Sequence, residues 1–309
     1  MAAGCFSFAA LGLMFASVRA ETVAWWRFDE QVGSPKGSVL HDAGPHRFEL
    51  SLGVGARIVP GVAGNALQSI SNARSTRDPA STALTTNANG HSHGGRVTNI
   101  TDSPLNLGAD DWTIECWLRL DAGAEHEGTL FEVGSGLRGA DDPVTRFSVL
   151  PQENAFAIAS LSLTAGESTA LGTRRVEFAN PEGPPGGIAF VQSTTLAMNG
   201  TTLPRATWFH VALVHAAAAG GVRLFVDGRQ RAVARLKMDP LPRSDEAYAC
   251  IGCDRRGARP FAGAIDELRI SNHAEYTRDF PLSERQHCQP RPRSGPTLGK
   301  ASMVGRSLR

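Results

Sequence analysis

Apolar and polar residues alternate with a period of two over many short stretches, and Gly and Pro punctuate the intervals between them. This pattern predicts β-strands over 22–28, 112–120, 128–133, 146–150, 155–160, 188–195, 208–215, 222–226, 231–236 and 264–270. Within 112–120 the register is explicit. Trp112, Ile114, Cys116 and Leu118 fall on one face, and Thr113, Glu115, Trp117 and Arg119 on the other. Trp117 interrupts the polar face, as a strand covered on both sides or lining a groove requires. Asp227-Gly228 separates two alternating runs and supplies the positive φ of a tight hairpin turn. A helical period is nearly absent; 282–287 offers one short turn with Ser283 as its cap. The stretches 71–95 and 161–185 are rich in Ser, Thr, Asn, Gly and Pro and read as long loops.

The expected fold class is therefore all-β, a sandwich of two antiparallel sheets. At 309 residues, with 41% hydrophobic and 20% charged residues, the chain suits one large β domain. Residues 1–20 contain an uncharged apolar run ending in Val18-Arg19-Ala20 and read as a signal peptide, with an uncleaved anchor as the rival. The domain then spans 21–288, and 289–309 reads as a disordered basic tail. The expected location is extracellular or periplasmic, with no membrane association after cleavage. Lys and Arg (31) nearly balance Asp and Glu (30), so charge gives no reason to expect a nucleic-acid partner.

Four ordered groups of residues carry a resemblance. They are Val23-Ala24-Trp25-Trp26-Arg27-Phe28-Asp29-Glu30 followed by Asp42-Ala43-Gly44-Pro45-His46 and Gly61-Val62-Ala63-Gly64-Asn65-Ala66-Leu67; Asp111-Trp112-Thr113-Ile114-Glu115-Cys116-Trp117-Leu118; Trp208-Phe209-His210-Val211-Ala212-Leu213-Val214 leading to Val222-Arg223-Leu224-Phe225-Val226-Asp227-Gly228; and Ile251-Gly252 with Phe261-Ala262-Gly263-Ala264-Ile265-Asp266-Glu267-Leu268-Arg269-Ile270. Together, over about 22–275, the chain resembles the laminin-G-like jellyroll domains of the concanavalin A-like lectin/glucanase superfamily. The resemblance implies a jellyroll, a binding role toward a glycan or an extracellular protein, and a structural Ca2+ ion between the first and last strands. The implied metal ligands are Asp29 and Asp266, with Asp42 as a third. Hard oxygen donors suit this ion, which takes roughly 6–8 of them; the alternative is that these carboxylates only accept turn and strand hydrogen bonds.

Catalysis has less behind it. The Glu-x-Asp-x-x-Glu motif of laminarinase-like relatives is absent, because no Glu is followed two residues later by Asp, and there is no Gly-x-Ser-x-Gly elbow. No catalytic residue is assigned; a divergent glycoside hydrolase or lyase, or a purely structural accessory domain, stands as the alternative. All five tryptophans lie in the four groups and are expected in the core, leaving no aromatic platform for a sugar. Cys250 or Cys253 is expected to bridge to Cys288, with free buried thiols the alternative. His91 and His93 share a loop, and Asn99-Ile-Thr101 and Asn199-Gly-Thr201 are glycosylation sequons.

Overall fold

The computed structural model describes residues 21–53, 55–69, 83–86, 104–134, 144–162, 173–178, 187–198, 202–235, 248–254 and 259–282. Seventeen strands lie in them: β1 (Thr22–Trp26), β2 (Val39–His41), β3 (Glu49–Leu52), β4 (Ala56–Pro60), β5 (Asn65–Ser69), β6 (Ala83–Thr86), β7 (Trp112–Leu120), β8 (Gly128–Gly134), β9 (Val144–Leu150), β10 (Ala155–Ser162), β11 (Thr173–Phe178), β12 (Gly187–Ala197), β13 (Trp208–Ala216), β14 (Gly221–Val226), β15 (Arg229–Arg235), β16 (Tyr248–Ile251) and β17 (Gly263–Ser271). The helical content among the described residues is the 3-10 turn Ala217–Ala219 and Leu282, which is also in 3-10 conformation. The expected all-β class holds, and each of the ten predicted strands is present. The expected helical turn over 282–287, the tail and residues 1–20 lie outside the described residues, apart from Leu282.

Sheet A runs β15-β14-β13-β7-β17-β5-β4, with β1 also paired to β17; sheet B runs β11-β12-β10-β9-β8-β16-β6-β3-β2. Every pairing is antiparallel. The two apolar faces share one interior. Trp26, Trp112, Ile114 and Leu118 from sheet A, with Phe28 just after β1, meet Leu130, Phe131, Phe147, Phe156 and Ile251 from sheet B, all buried. Each such side chain contributes about 1.5–3 kcal/mol when removed from water.

Two stretches expected as loops also contain strands. β6 lies in 71–95 and β11 in 161–185; β6 fills the place between β16 and β3, and β11 pairs along the outer edge of β12. Pairing with distant partners outweighs local composition there. The Asp227-Gly228 turn is as expected, with φ of 50° and 71° closing β14 onto β15.

Strand β17 positions the site. β7 lines one edge throughout, but the other edge is shared: β5 pairs with Ala264 and Ile265, and β1 with Leu268 to Ser271. At this fork β17 bulges. Asp266 opposes Trp117 and Arg269 opposes Glu115, so three steps on β17 match two on β7, and Glu267 takes a φ of 52°. The extra residue turns two consecutive carboxylates, Asp266 and Glu267, toward the fork while Ile265 and Leu268 stay in the core.

Candidate functional site

The fork gathers part of the acidic set that the sequence singles out. Asp266 is fully buried; its Oδ2 accepts the backbone N–H of Val62 at 2.8 Å and of Ala63 at 3.0 Å. Its Oδ1 has no hydrogen-bond partner. Burial is the main reason its pKa rises to about 7, with Glu267 adding to the effect and the backbone donors opposing it. Asp29 reaches the same 61–65 loop from β1, accepting the N–H of Asn65 at 3.4 Å and pairing with Arg27 at 2.9 Å. Glycines make this approach possible, since a Cβ on Gly61 would collide with Asp266 Oδ2 and one on Gly64 with Asp29 Oδ1. Glu267 accepts the Trp25 indole N–H at 2.6 Å and Arg27 Nε at 3.4 Å, and burial holds its carboxyl above the usual range.

Asp42 is engaged differently. Its carboxylate accepts the backbone N–H groups of Trp25 and Gly44 at 2.6 Å each and of Phe48 at 3.1 Å, tying β1 to the turn that follows β2. Among the described residues no group of three or more His, Cys, Asp or Glu side chains converges as a metal cluster. Among the described residues, oxygen donors that suit a hard cation near this loop are Asp266, with its unpartnered buried oxygen, and Asp29; Glu30, whose backbone carbonyl accepts Asn65 Nδ2, also has a buried carboxylate oxygen without a partner.

The outer face of sheet A carries residues that sequence reasoning assigned elsewhere. Trp26 and Trp112 are in the core as expected, but Trp25, Trp117 and Trp208 are only part-buried and point away from it. The Arg27 guanidinium carbon lies 5.4 Å from the Trp25 ring, and that of Arg119 lies 5.2 Å from the Trp208 ring. Trp117 meets the edge of His210, with ring centroids 5.5 Å apart. The alternation in β7 already placed Trp117 outward. Trp25 and Trp208 each stand beside a second large apolar residue, Trp26 and Phe209, which takes the core position.

Residues 272–282 cross part of this face. Glu275 N–H donates to Thr113 Oγ1 at 2.9 Å, the Tyr276 hydroxyl donates to Glu115 at 2.8 Å, and Phe280 N–H donates to Gly228 O at 2.9 Å. Tyr276 and Phe280 pack with Ala212, Val214 and Phe225 in a second apolar cluster. Beneath them Glu115 is buried and receives Arg269 Nε at 2.6 Å, with His210 Nε2 at 3.3 Å. Phe280 meets His210 with ring centroids 6.0 Å apart, and among the described residues of this segment no ring contact or hydrogen bond reaches Trp117, Arg119 or Trp208.

On the outer face of sheet B, Glu132 is buried against Arg146, whose Nε donates at 2.5 Å, and the Tyr248 hydroxyl at 3.1 Å. Cys250 and Cys253 are buried beside Tyr248. Cys116 is a free thiol in the core; burial first, then the neighbouring carboxylates Glu115 and Asp266, pushes it far above its usual range. The expected bridge partner Cys288, His91, His93 and the sequon asparagines Asn99 and Asn199 lie outside the described residues.

Among curated proteins none matches the chain. Several solved structures resemble it at low identity. The botulinum neurotoxin serotype G binding domain has 10% identity and a TM-score of 0.47, covering 85% of this chain and 49% of its own, so the chain spans about half of that protein's length. Domain 4 of AbnA, a GH43 extracellular arabinanase from Geobacillus stearothermophilus, in complex with arabinotriose, has 17% identity and a TM-score of 0.44, covering 82% and 94%. The Ruminococcus gnavus IT-sialidase CBM40 bound to α2,3-sialyllactose has 13% identity and a TM-score of 0.37, covering 60% and 92%. A laminin-G-type family model matches residues 91–275, more than half of the chain and three of the four motif groups in full. On that match, and on the two antiparallel sheets that the motifs build, the chain belongs to the concanavalin A-like lectin/glucanases superfamily.

Proposed function

We propose that this protein is a secreted, non-catalytic module that recognises a glycan or an extracellular protein through the open part of the outer face of sheet A. The observation that carries the reading is the outward placement of Trp25, Trp117 and Trp208, three large aromatic side chains on a rigid sheet that the core does not absorb. Aromatic surface held by regular strands is suited to ligand contact at small entropic cost. The buried carboxylates of both outer faces are taken up inside the protein, Glu115 by Arg269, Tyr276 and His210 and Glu132 by Arg146 and Tyr248, which favours binding over acid–base chemistry.

A structural calcium ion at the fork belongs to this reading. Asp266 and Asp29 would hold it together with backbone carbonyls, and it would neutralise the buried Asp266 and clamp the 61–65 loop to β17. Asp42, with three backbone donors on its carboxylate, is left out of the ligand set.

Screening the full chain against immobilised glycans and extracellular proteins tests the binding role, with the Trp117→Ala/Trp208→Ala double variant alongside. Binding that the double variant loses while its melting temperature is kept supports the role. Release of sugar products would promote the hydrolase or lyase alternative, and binding to nothing would leave a structural accessory role. For the metal, thermal melts with excess calcium and with chelator should differ for the wild type and coincide for Asp266→Ala, since a ligand bound only to the native state stabilises it by RT ln(1 + [L]/Kd). Coincident wild-type melts would remove calcium from the account.

A further inference from the structure

Sheet A contains one arrangement twice, a guanidinium lying over an indole on the outer face. At Trp25 and Arg27 the protein completes it: Arg27 pairs with Asp29 at 2.9 Å and with Glu267 at 3.4 Å, and Glu267 also receives the indole N–H. At Trp208 and Arg119 the stacking distance is the same within 0.2 Å, yet among the described residues no carboxylate pairs with Arg119. The register shows why. Trp208 stands opposite Arg119, Arg119 opposite Ala264, Ala264 opposite Gln68, and Gln68 opposite Arg57, so one straight row crosses five strands without an acidic residue. With strands about 4.8 Å apart, the row spans roughly 19 Å.

We infer that this row binds a carboxylate-bearing oligosaccharide, a chain of uronic acid residues, and that Arg119 takes one of its carboxylates as Arg27 takes Asp29. The inference deepens the binding-module reading and rests on it. A guanidinium placed over an indole face can still present an N–H edge, and such an edge matches a planar carboxylate through two parallel hydrogen bonds. The contact with Trp208 at 5.2 Å narrows the positions open to the guanidinium, so less side-chain freedom is lost on binding. Further along the row the exposed Arg57, held by Gln68 Oε1 at 2.9 Å, offers a second cation about 14 Å from Arg119, three strand spacings away. Trp117, next to Arg119 on the same face of β7, presents an aromatic surface for the apolar side of a sugar ring. Two separated cations with aromatic and amide groups between and beside them fit a chain with one carboxylate to each sugar ring and apolar ring faces between, better than a sulfated chain with several anionic groups to each disaccharide, which requires a continuous basic groove.

Isothermal titration of the full chain with a galacturonate tetramer and with its methyl ester tests this. The acid should bind at least tenfold more tightly than the ester. Arg119→Gln should abolish the preference with the thermal melt unchanged, and Arg119→Lys should restore only part of it, because an ammonium lacks the bidentate edge. Equal binding of acid and ester, no binding of the acid, or a preference that survives Arg119→Gln would overturn the inference. So would tighter binding of a heparin tetrasaccharide, a polyglutamate peptide or a single-stranded oligonucleotide at the same row. A neutral glycan or protein ligand that depends on Trp117 and Trp208 but ignores Arg119→Gln would sink the uronate assignment and leave the module reading standing.

Discussion

Trp25 and Trp26 are neighbours in β1 with opposite fates: Trp26 is fully buried between the sheets, while the Trp25 indole N–H donates to Glu267 at 2.6 Å on the outer face. The same division separates Trp112 from Trp117 in β7. It predicts a divided response to truncation. Trp26→Ala removes a side chain packed in the shared interior and should cost about 3–5 kcal/mol. Trp208→Ala removes one that is part-exposed and should cost about 1 kcal/mol or less. Urea unfolding midpoints at constant m-value measure the difference, and comparable losses would mean that Trp208 belongs to the core.

The 61–65 loop depends on its glycines for two reasons. Gly64 has a φ of 97°, and a Cβ there would meet Asp29 Oδ1. Gly64→Ala should therefore destabilise the protein by about 1–3 kcal/mol. Adding Asp29→Ala removes the collision but not the backbone strain, so the double variant should recover part of the loss. A double-mutant cycle by chemical denaturation reads this coupling directly.

Asp266 should make stability fall as pH rises. Its carboxyl pKa is raised from 3.8 to about 7 by burial, so between those values the folded protein holds a proton that the unfolded chain has released. The unfolded state then binds fewer protons, the slope of unfolding free energy with pH is negative, and the penalty is complete above about pH 7 and absent below about 4. Asp266→Asn keeps an oxygen for the N–H groups of Val62 and Ala63 and removes the charge. In the presence of chelator it should flatten the decline and gain on the order of 2 kcal/mol at pH 8. Denaturation at pH 4.5, 6 and 8 checks this; parallel curves for the two proteins would show that Asp266 does not titrate in that window.

Much of the framework is legible in the residues. Alternation from Trp112 to Leu120 fixes which side chains of β7 enter the interior, and Asp227-Gly228 fixes the hairpin because few residue pairs adopt two consecutive positive φ angles. The surroundings of the bulge at Glu267 are less legible. Two polar residues, Asp266 and Glu267, stand between Ile265 and Leu268 where strict alternation allows one, but the fork they face, where β5 and β1 share one edge of β17, is a relation between segments about 200 residues apart that no local pattern contains. The saturation of Asp42 and the open oxygen of Asp266 are hidden for a similar reason. Both are acidic residues beside apolar ones, and only the backbone N–H groups that reach them set them apart. The row from Trp208 to Arg57 needs the order of five strands, which no local pattern contains.

That outer face is the centre of the account, and its tryptophans report on it individually. Indole N–H resonances, assigned by single Trp→Phe replacements, should be followed while ligand identified by screening is titrated into the full chain. The account predicts that the Trp117 and Trp208 signals shift saturably while those of Trp26 and Trp112 stay in place. A ligand that binds without moving either Trp117 or Trp208 would contradict it.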